Sequence, residues 1–213
     1  MSEFDVFQTN IKGMSQETFL DSFETICKNY HKELKVLSFA IILYDESIPE
    51  FVKLLRDNDY WKALDKSSGD KLVIFTVRDE QEFEFKSVYH KMVSMPSSDY
   101  GKMYSSIIKK LFDDENLLVY PSVLFFQIFK NEIYDYRLIP LNRSDVHSSF
   151  THLQNLLKSI SDVLNKVLPK YYDNQREIFE LIKTELLNQK YTMYIKKGPK
   201  SILELISLLK SLL

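Results

Sequence analysis

The chain has 213 residues, of which 45% are apolar and 27% are charged, and its net charge at pH 7 is −2. These values are typical of a globular protein, and a chain of this length can bury a core without disulfides or metals. The small net charge argues against a surface built for nucleic acid or for an anionic membrane. With only four glycines, the sequence also contains no glycine-rich phosphate loop.

Cys27 is the only cysteine, which excludes an internal disulfide and a cysteine-based metal site. We expect it to be a small, buried or half-buried side chain on a helix. The first ten residues are acidic and lack the apolar core of a signal peptide, and no apolar run approaches the roughly 18 residues of a membrane span. The sequence therefore favours a reducing, cytoplasmic location and no membrane contact.

The first half of the chain predicts a β-α-β unit. Apolar residues at helical spacing predict a helix over residues 15–35, and the nearly continuous apolar run 36–44 predicts a strand buried on both faces. A helix then follows as far as Leu64, and residues 71–77 predict a second buried strand. Two strands joined by such a crossover form a parallel pair.

The predicted crossover helix has a start signal of its own. Ser47 and Glu50 have the spacing of a capping box, and Pro49 lies in the first turn, where a missing N–H costs little. We therefore expect Ser47 and Glu50 to cap this helix.

The second half of the chain predicts a hairpin between helices. Residues 79–96 lose their period after four alternating positions, so their structure stays open. The remaining predicted elements are a helix over 99–113, hairpin strands at about 117–129 and 132–140, a helix from Ser144 or Asp145 to about Leu168, a helix over 173–190 and a short, very apolar helix over 201–213.

This order of elements resembles a thioredoxin-like fold over residues 36–168. In that family a β-α-β unit is followed by a helix, an antiparallel hairpin and a packing helix. The hairpin begins with a proline that follows a cis peptide bond, and "YPSVLFF" matches that start at Pro121. The alternative for Pro121 is a trans proline at a strand edge.

The resemblance implies an α/β fold with a mixed sheet flanked by helices. Residues 1–35 would form an N-terminal helical arm, residues 36–168 the thioredoxin-like domain, and residues 169–213 a C-terminal helical extension.

The redox chemistry of that family needs a C-x-x-C motif at the start of the first helix, where the helix terminus lowers the thiol pKa. The matching position here is "SIPE", Ser47 to Glu50, in which Pro49 is kept and both cysteines are absent. We therefore reject thiol–disulfide exchange and regard Ser47, Pro49, Glu50 and Pro121 as a vestigial motif position. No cofactor is expected.

The alternative hypothesis is that the protein is a Mg²⁺-dependent nuclease of the PD-(D/E)xK type. Glu84 and Lys86 have E-x-K spacing, and Asp70 precedes the neighbouring predicted strand. Two carboxylates and a lysine on adjacent strands can hold Mg²⁺ and orient a water molecule. The competing interpretation is a solvated strand face with an ordinary ion pair. None of the four histidines forms an i, i+4 metal pair.

The last predicted helix is apolar almost all round, so it must be buried in its own domain or against another chain. Its apolar residues make it the candidate partner-binding or self-association surface: Ile202, Leu205, Ile206, Leu209 and Leu212. The leading hypothesis is thus a non-enzymatic, cytoplasmic protein-interaction module on a redox-inactive thioredoxin-like domain. The nuclease with Asp70, Glu84 and Lys86 is the alternative.

Overall fold

A computed structural model describes residues 25–32, 35–44, 47–77, 92–95, 121–129, 132–142 and 144–191 of the chain. These residues form an α/β protein. Its elements follow in this order: a helix over 25–32 (α1), Ser38–Leu43 (β1), Pro49–Arg56 (α2), Asn58–Ser68 (α3), Leu72–Val77 (β2), Met92–Met95 (β3), Ser122–Phe129 (β4), Glu132–Pro140 (β5), Val146–Asn165 (α4), a 3-10 turn at Pro169–Tyr171 and Gln175–Asn188 (α5).

The sheet has the strand order β3-β2-β1-β4-β5. All six residues of β1 are buried, as its continuous apolar sequence predicts for a central strand. The strand pairs in parallel with β2 and antiparallel with β4, and β4 pairs antiparallel with β5. The predicted parallel pair and the predicted hairpin are therefore confirmed.

Helices pack against both faces of this sheet. On one face, the ring of Tyr30 on α1 meets Phe75 edge-on, with 6.4 Å between the ring centroids. On the other face, the backbone carbonyl of Gln175 at the start of α5 accepts a hydrogen bond from the buried amide of Gln127. Gln127 and Phe126 are neighbours on β4 and point to opposite faces, and Phe126 stacks on Phe39, which in turn stacks on Phe75.

The region after β2 contains a strand that the sequence did not resolve. Met92–Met95 (β3) pairs in parallel with β2 at the edge of the sheet. It lies within the stretch 79–96, where the alternating pattern is too short to separate strand from helix. An edge strand of four residues leaves only a short periodic signal, which explains why its sequence was ambiguous.

The predicted helix from Ser47 to Leu64 is in fact two helices that meet at Asp57. The Asp57 side chain accepts hydrogen bonds from the backbone N–H groups of Asp59 and Tyr60, at 2.9 and 3.2 Å. An aspartate in this role caps a helix N-terminus, so the chain ends α2 and begins α3 at one residue.

The predicted capping box at the start of α2 is wrong. The cap position is Ile48, which provides no side-chain hydrogen bond. Pro49 opens the helix because its φ is already helical and it has no N–H to satisfy. Ser47 therefore lies one residue before the cap position. Glu50 is the second residue of the helix, whereas a capping box has its glutamate at the third.

The two later helices agree with their predicted positions. Asp145 caps α4 by accepting a 2.8 Å hydrogen bond from the Ser148 N–H, and the chain leaves the helix shortly before Pro169. Asn174 caps α5 in the same way, through the Glu177 N–H. The predicted buried side of α5 is confirmed, because these residues are all buried: Ile178, Phe179, Ile182 and Leu186.

Among the helices that the structure describes, none combines the length and the apolar character needed to cross a membrane.

Gly69 ends α3 in a conformation that a side chain opposes. Its φ and ψ are 64° and −162°, and an added Cβ would lie 2.2 Å from Ser161 Oγ on α4. Backbone in this region is almost exclusive to glycine and costs other residues about 1–3 kcal/mol. The residue therefore sets both the end of α3 and its close approach to α4.

We predict that Gly69→Ala lowers the free energy of unfolding by about 2–3 kcal/mol, measured by urea denaturation. The same substitution in a Ser161→Ala background separates the two causes, because that background removes the close oxygen atom but not the positive φ. We expect most of the loss to persist there. A loss below about 0.5 kcal/mol in the wild-type background would contradict this account.

Candidate functional site

The vestigial motif position lies at the carboxyl end of β1. Leu43 is the partner of Ser122 across the β1–β4 ladder, so Pro121 lies beside the end of β1 from which the chain leads to α2. Pro121 is buried and its carbonyl accepts a 2.7 Å hydrogen bond from the Leu141 N–H. Ser47 and Pro49 are exposed at the helix start. The start of β4 and the β1–α2 connection therefore lie at the same end of the sheet.

The peptide bond before Pro121 involves Tyr120, which lies outside the described residues, so the predicted cis bond stays a prediction. The same is true of the nuclease arrangement. Asp70 is exposed in the turn before β2, whereas Glu84 and Lys86 are not among the described residues. The predicted partner-binding residues also lie outside them: Ile202, Leu205, Ile206, Leu209 and Leu212.

The described residues hold an apolar groove that the sequence reasoning missed. It lies between the end of α4 with its following turn and the outer side of α5, and its volume is about 520 Å³. Its walls are mainly apolar. The lining residues are Val163, Lys166, Val167, Leu168, Tyr171, Glu177, Ile178, Leu181, Thr184, Glu185 and Asn188.

Large apolar side chains on this groove remain open to solvent. Leu168 is 55% exposed, Tyr171 45% and Leu181 46%. Single exposed apolar residues are normal on a protein surface, but three around one groove form a contiguous patch, which is typical of an interaction site. Of the three, only Leu181 had a signal in the sequence, because it lies off the buried stripe of α5.

The charged residues at the groove have both signs. Lys166 and Glu177 are exposed and Glu185 is half-buried. Glu185 accepts a 2.8 Å hydrogen bond from the side chain of Gln189. Exposed charges of mixed sign contribute little binding energy, so the apolar walls decide what this groove can take.

An ion-pair network holds α5 on the edge strand β5. The buried guanidinium of Arg137 pairs with Asp135, and Lys183 of α5 approaches the same carboxylate at 3.5 Å. Lys183 also pairs with Glu180, and the Arg137 guanidinium lies 5.9 Å from the Phe179 ring centroid. Because Asp135 lies on the strand and Lys183 on the helix, the network fixes how α5 presents its outer side.

The network also affects the neighbouring phenol. Burial, followed by the negative charge of Asp135, raises the pKa of Tyr136 to about 12, and the positive charge of Arg137 opposes the rise. The phenol therefore stays protonated at any physiological pH, which excludes it as a general base.

His152 joins the start of α4 to the chain that follows α5. Its ring stacks on Tyr191, with 5.5 Å between the centroids and 7° between the planes. Its Nδ1 accepts a 2.8 Å hydrogen bond from the Asn142 N–H, so this nitrogen carries no proton. Burial lowers the pKa of His152, and burial together with the charge of Glu185 raises the pKa of Tyr191.

The chain turns at the end of α5 through a Schellman motif. The Tyr191 N–H donates to the Leu186 carbonyl at 3.0 Å, and the Lys190 N–H donates to the Leu187 carbonyl at 2.9 Å. Lys190 occupies the left-handed position with φ 58°, where glycine is the usual residue. The motif and the His152–Tyr191 stack together fix where the following chain leaves the helix.

In the described part of the chain, no group of three or more His, Cys, Asp or Glu side chains is placed to hold a metal ion. The predicted burial of Cys27 is confirmed, since its side chain is fully enclosed. No protein-family model matches this chain, and comparisons with curated proteins and with solved structures give no significant match. The candidate functional features are therefore the groove and the end of the sheet beside Pro121.

We predict that His152 makes the protein less stable in acid. A histidine whose folded pKa lies below its unfolded value stabilises the fold above about pH 6.5, and this contribution is lost as the pH falls through the folded pKa. The free energy of unfolding, measured with urea at pH 7.5 and pH 5, should therefore fall more for the wild type than for His152→Gln.

The matched control is His147→Gln, one to two turns away on the same helix and exposed. It should keep the wild-type dependence on pH. Equal acid losses in the wild type and in His152→Gln would show that burial does not hold the folded pKa of His152 below its unfolded value.

Proposed function

We propose that this protein is a non-enzymatic protein-interaction module, built on a thioredoxin-like domain that lacks redox cysteines, and that it works in the reducing cytosol. The observation that carries the proposal is the apolar groove between α4 and α5. Through it, the protein would bind an apolar helix of a partner protein.

The size and shape of the groove support this kind of occupant. Its α5 wall runs from Glu177 to Asn188, which corresponds to about 18 Å of helix. Helix-in-groove recognition uses apolar anchors spaced along such a length. The exposed Leu168, Tyr171 and Leu181 offer apolar area that a bound helix would remove from water, at about 25 cal/mol per Å².

The thioredoxin-like part of the proposal is supported by the order and direction of the elements. A parallel β1–β2 pair is followed by the antiparallel β4–β5 hairpin, and α4 comes next, as the resemblance implies. Pro121 opens the hairpin beside the end of β1. The position at which the family has its cysteines holds Ser47 and Glu50, so thiol chemistry has no nucleophile there.

A gain-of-function experiment tests this assignment. Ser47→Cys with Glu50→Cys restores a C-x-x-C motif at the start of α2. If this start corresponds to the family's redox position, the first new thiol should have a pKa below the usual value of about 8.5. We expect faster alkylation at pH 7 than for a free thiol and a catalysed reduction of insulin disulfides by dithiothreitol, both absent from the wild type.

The control places the same spacing at another helix start, through Asn174→Cys with Glu177→Cys on α5. Here too the thiols lie at a helix N-terminus, but this helix starts beside Gln127, six residues along β4 from Pro121, because the Gln175 carbonyl accepts a hydrogen bond from the Gln127 amide. Insulin reduction by the Ser47/Glu50 variant that does not exceed this control would argue against the thioredoxin-like class.

The groove is tested separately by site-specific photocrosslinking in cells. A benzophenone amino acid at position 181 should give a discrete adduct of higher mass, because that side chain lines the groove. The same amino acid at position 187 is the control, since Leu187 is 62% exposed on the same helix but does not line the groove. Adducts in equal yield from both positions, or neither an adduct of higher mass nor an internal crosslink from position 181, would remove the groove as a docking surface.

A further inference from the structure

We propose that the groove is occupied, in the absence of a partner, by the chain's own residues 202–213, which thereby compete with the partner helix. This inference rests on the proposed function, because it assigns the regulation of the same groove. Three features of the chain support it: the apolar character of the segment, its reach, and the geometry with which the chain leaves α5.

The first feature is the match in character and length. Eight of the twelve residues 202–213 are Leu or Ile, and the only charges are those of Glu204 and Lys210. As a helix the segment would be about 18 Å long, the same length as the α5 wall. As a helix, the segment would have its four polar residues on one side: Glu204, Ser207, Lys210 and Ser211. The opposite side would be apolar, so it needs an apolar surface to cover it.

The second feature is reach. Ten residues, 192–201, separate Tyr191 from the apolar segment, and an extended chain of that length spans about 33 Å. This is nearly twice the length of the groove, so the segment can lie along it in either direction. A tether of this length gives an effective concentration of about 1 mM, which a free partner rarely reaches.

The third feature is the exit of the chain from α5. The Schellman motif at Lys190 turns the backbone out of the helix axis, and the stack on His152 holds Tyr191 against α4. The following residues therefore start from the α4–α5 pair itself. An antiparallel return of the segment along α5 would complete a three-helix packing.

Charge does not select the occupant. The segment carries one acidic and one basic residue, and the groove carries Lys166 with Glu177 and Glu185. Pairs between such exposed groups contribute little, so the apolar contact and the tether are the terms that favour the chain's own segment.

Limited proteolysis of the full-length chain is the first test. Trypsin cleaves after Lys210 only when the segment leaves its site, so docking should slow this cleavage relative to the sites at Lys196 and Lys197. Leu181→Glu puts a charge in the groove wall, and we expect cleavage after Lys210 to become at least about tenfold faster. Leu187→Glu is the matched control and should behave as the wild type.

Light scattering on the same samples identifies the occupant. A monomer with a protected Lys210 supports docking within one chain. A dimer whose protection decreases on dilution would mean that the segment of a second copy fills the groove, and this would overturn the proposal. Equal cleavage rates in the wild type and in Leu181→Glu would overturn it as well.

Binding of a fluorescent peptide with the sequence of residues 199–213 separates this inference from the proposed function. The peptide is titrated with the wild-type chain and with the Leu205→Glu, Leu209→Glu variant, whose own segment cannot fill the groove. With an effective concentration of about 1 mM and a peptide Kd of about 10 µM, the variant should bind about 100-fold more tightly. Adding Leu181→Glu should abolish that binding, whereas adding Leu187→Glu should not.

The possible outcomes are distinct. In one outcome, the wild type and the Leu205→Glu, Leu209→Glu variant bind the peptide equally well, and Leu181→Glu abolishes the binding in both. This outcome would keep the groove as a docking site but would overturn its occupation by the chain's own segment. No binding to either chain would contradict both the inference and the proposed docking of an apolar helix.

Discussion

The fold depends on burying both faces of β1. Every residue of this strand is buried, and it lies between a parallel and an antiparallel neighbour. A strand with no polar side requires cover on both faces of the sheet, because exposed apolar area costs about 25 cal/mol per Å². Helix α1 on one face and α5 on the other follow from that requirement. The position of α5, and with it the groove, is thus a consequence of the central strand.

Local sequence predicted those elements whose pattern is long or whose boundary has a chemical marker. The apolar runs of β1 and β2, the hairpin, and the cap of α4 at Asp145 all carry such signals. The apolar pattern does not mark the break at Asp57, because the buried Leu54 and Trp61 are seven residues apart and keep the helical period across the polar residues 56–59. The prediction that Ser47 caps α2 was wrong because Pro49 is the first helical residue, one position later than the capping box requires.

The candidate groove could not be read from one segment, since its walls come from α4, the turn after it and α5. In the sequence, only Leu181 indicated the groove, because this apolar residue lies outside the buried stripe of α5. The network of Asp135, Arg137 and Lys183 was missed for the same reason, because Asp135 and Lys183 are 48 positions apart in the chain. Long-range electrostatic contacts leave no periodic trace, yet this network orients the helix that carries one wall of the groove.

The end of α5 shows why the exit of the chain matters to this surface. A lysine at φ 58° costs free energy that glycine would not, of order 1 kcal/mol. The conformation persists because two backbone hydrogen bonds and the Tyr191–His152 stack hold it. The Schellman motif is a common helix end, but the stack on His152 adds a contact that places Tyr191 beside α4. This contact is explained if the residues that follow must begin there, within reach of the groove that α4 and α5 form.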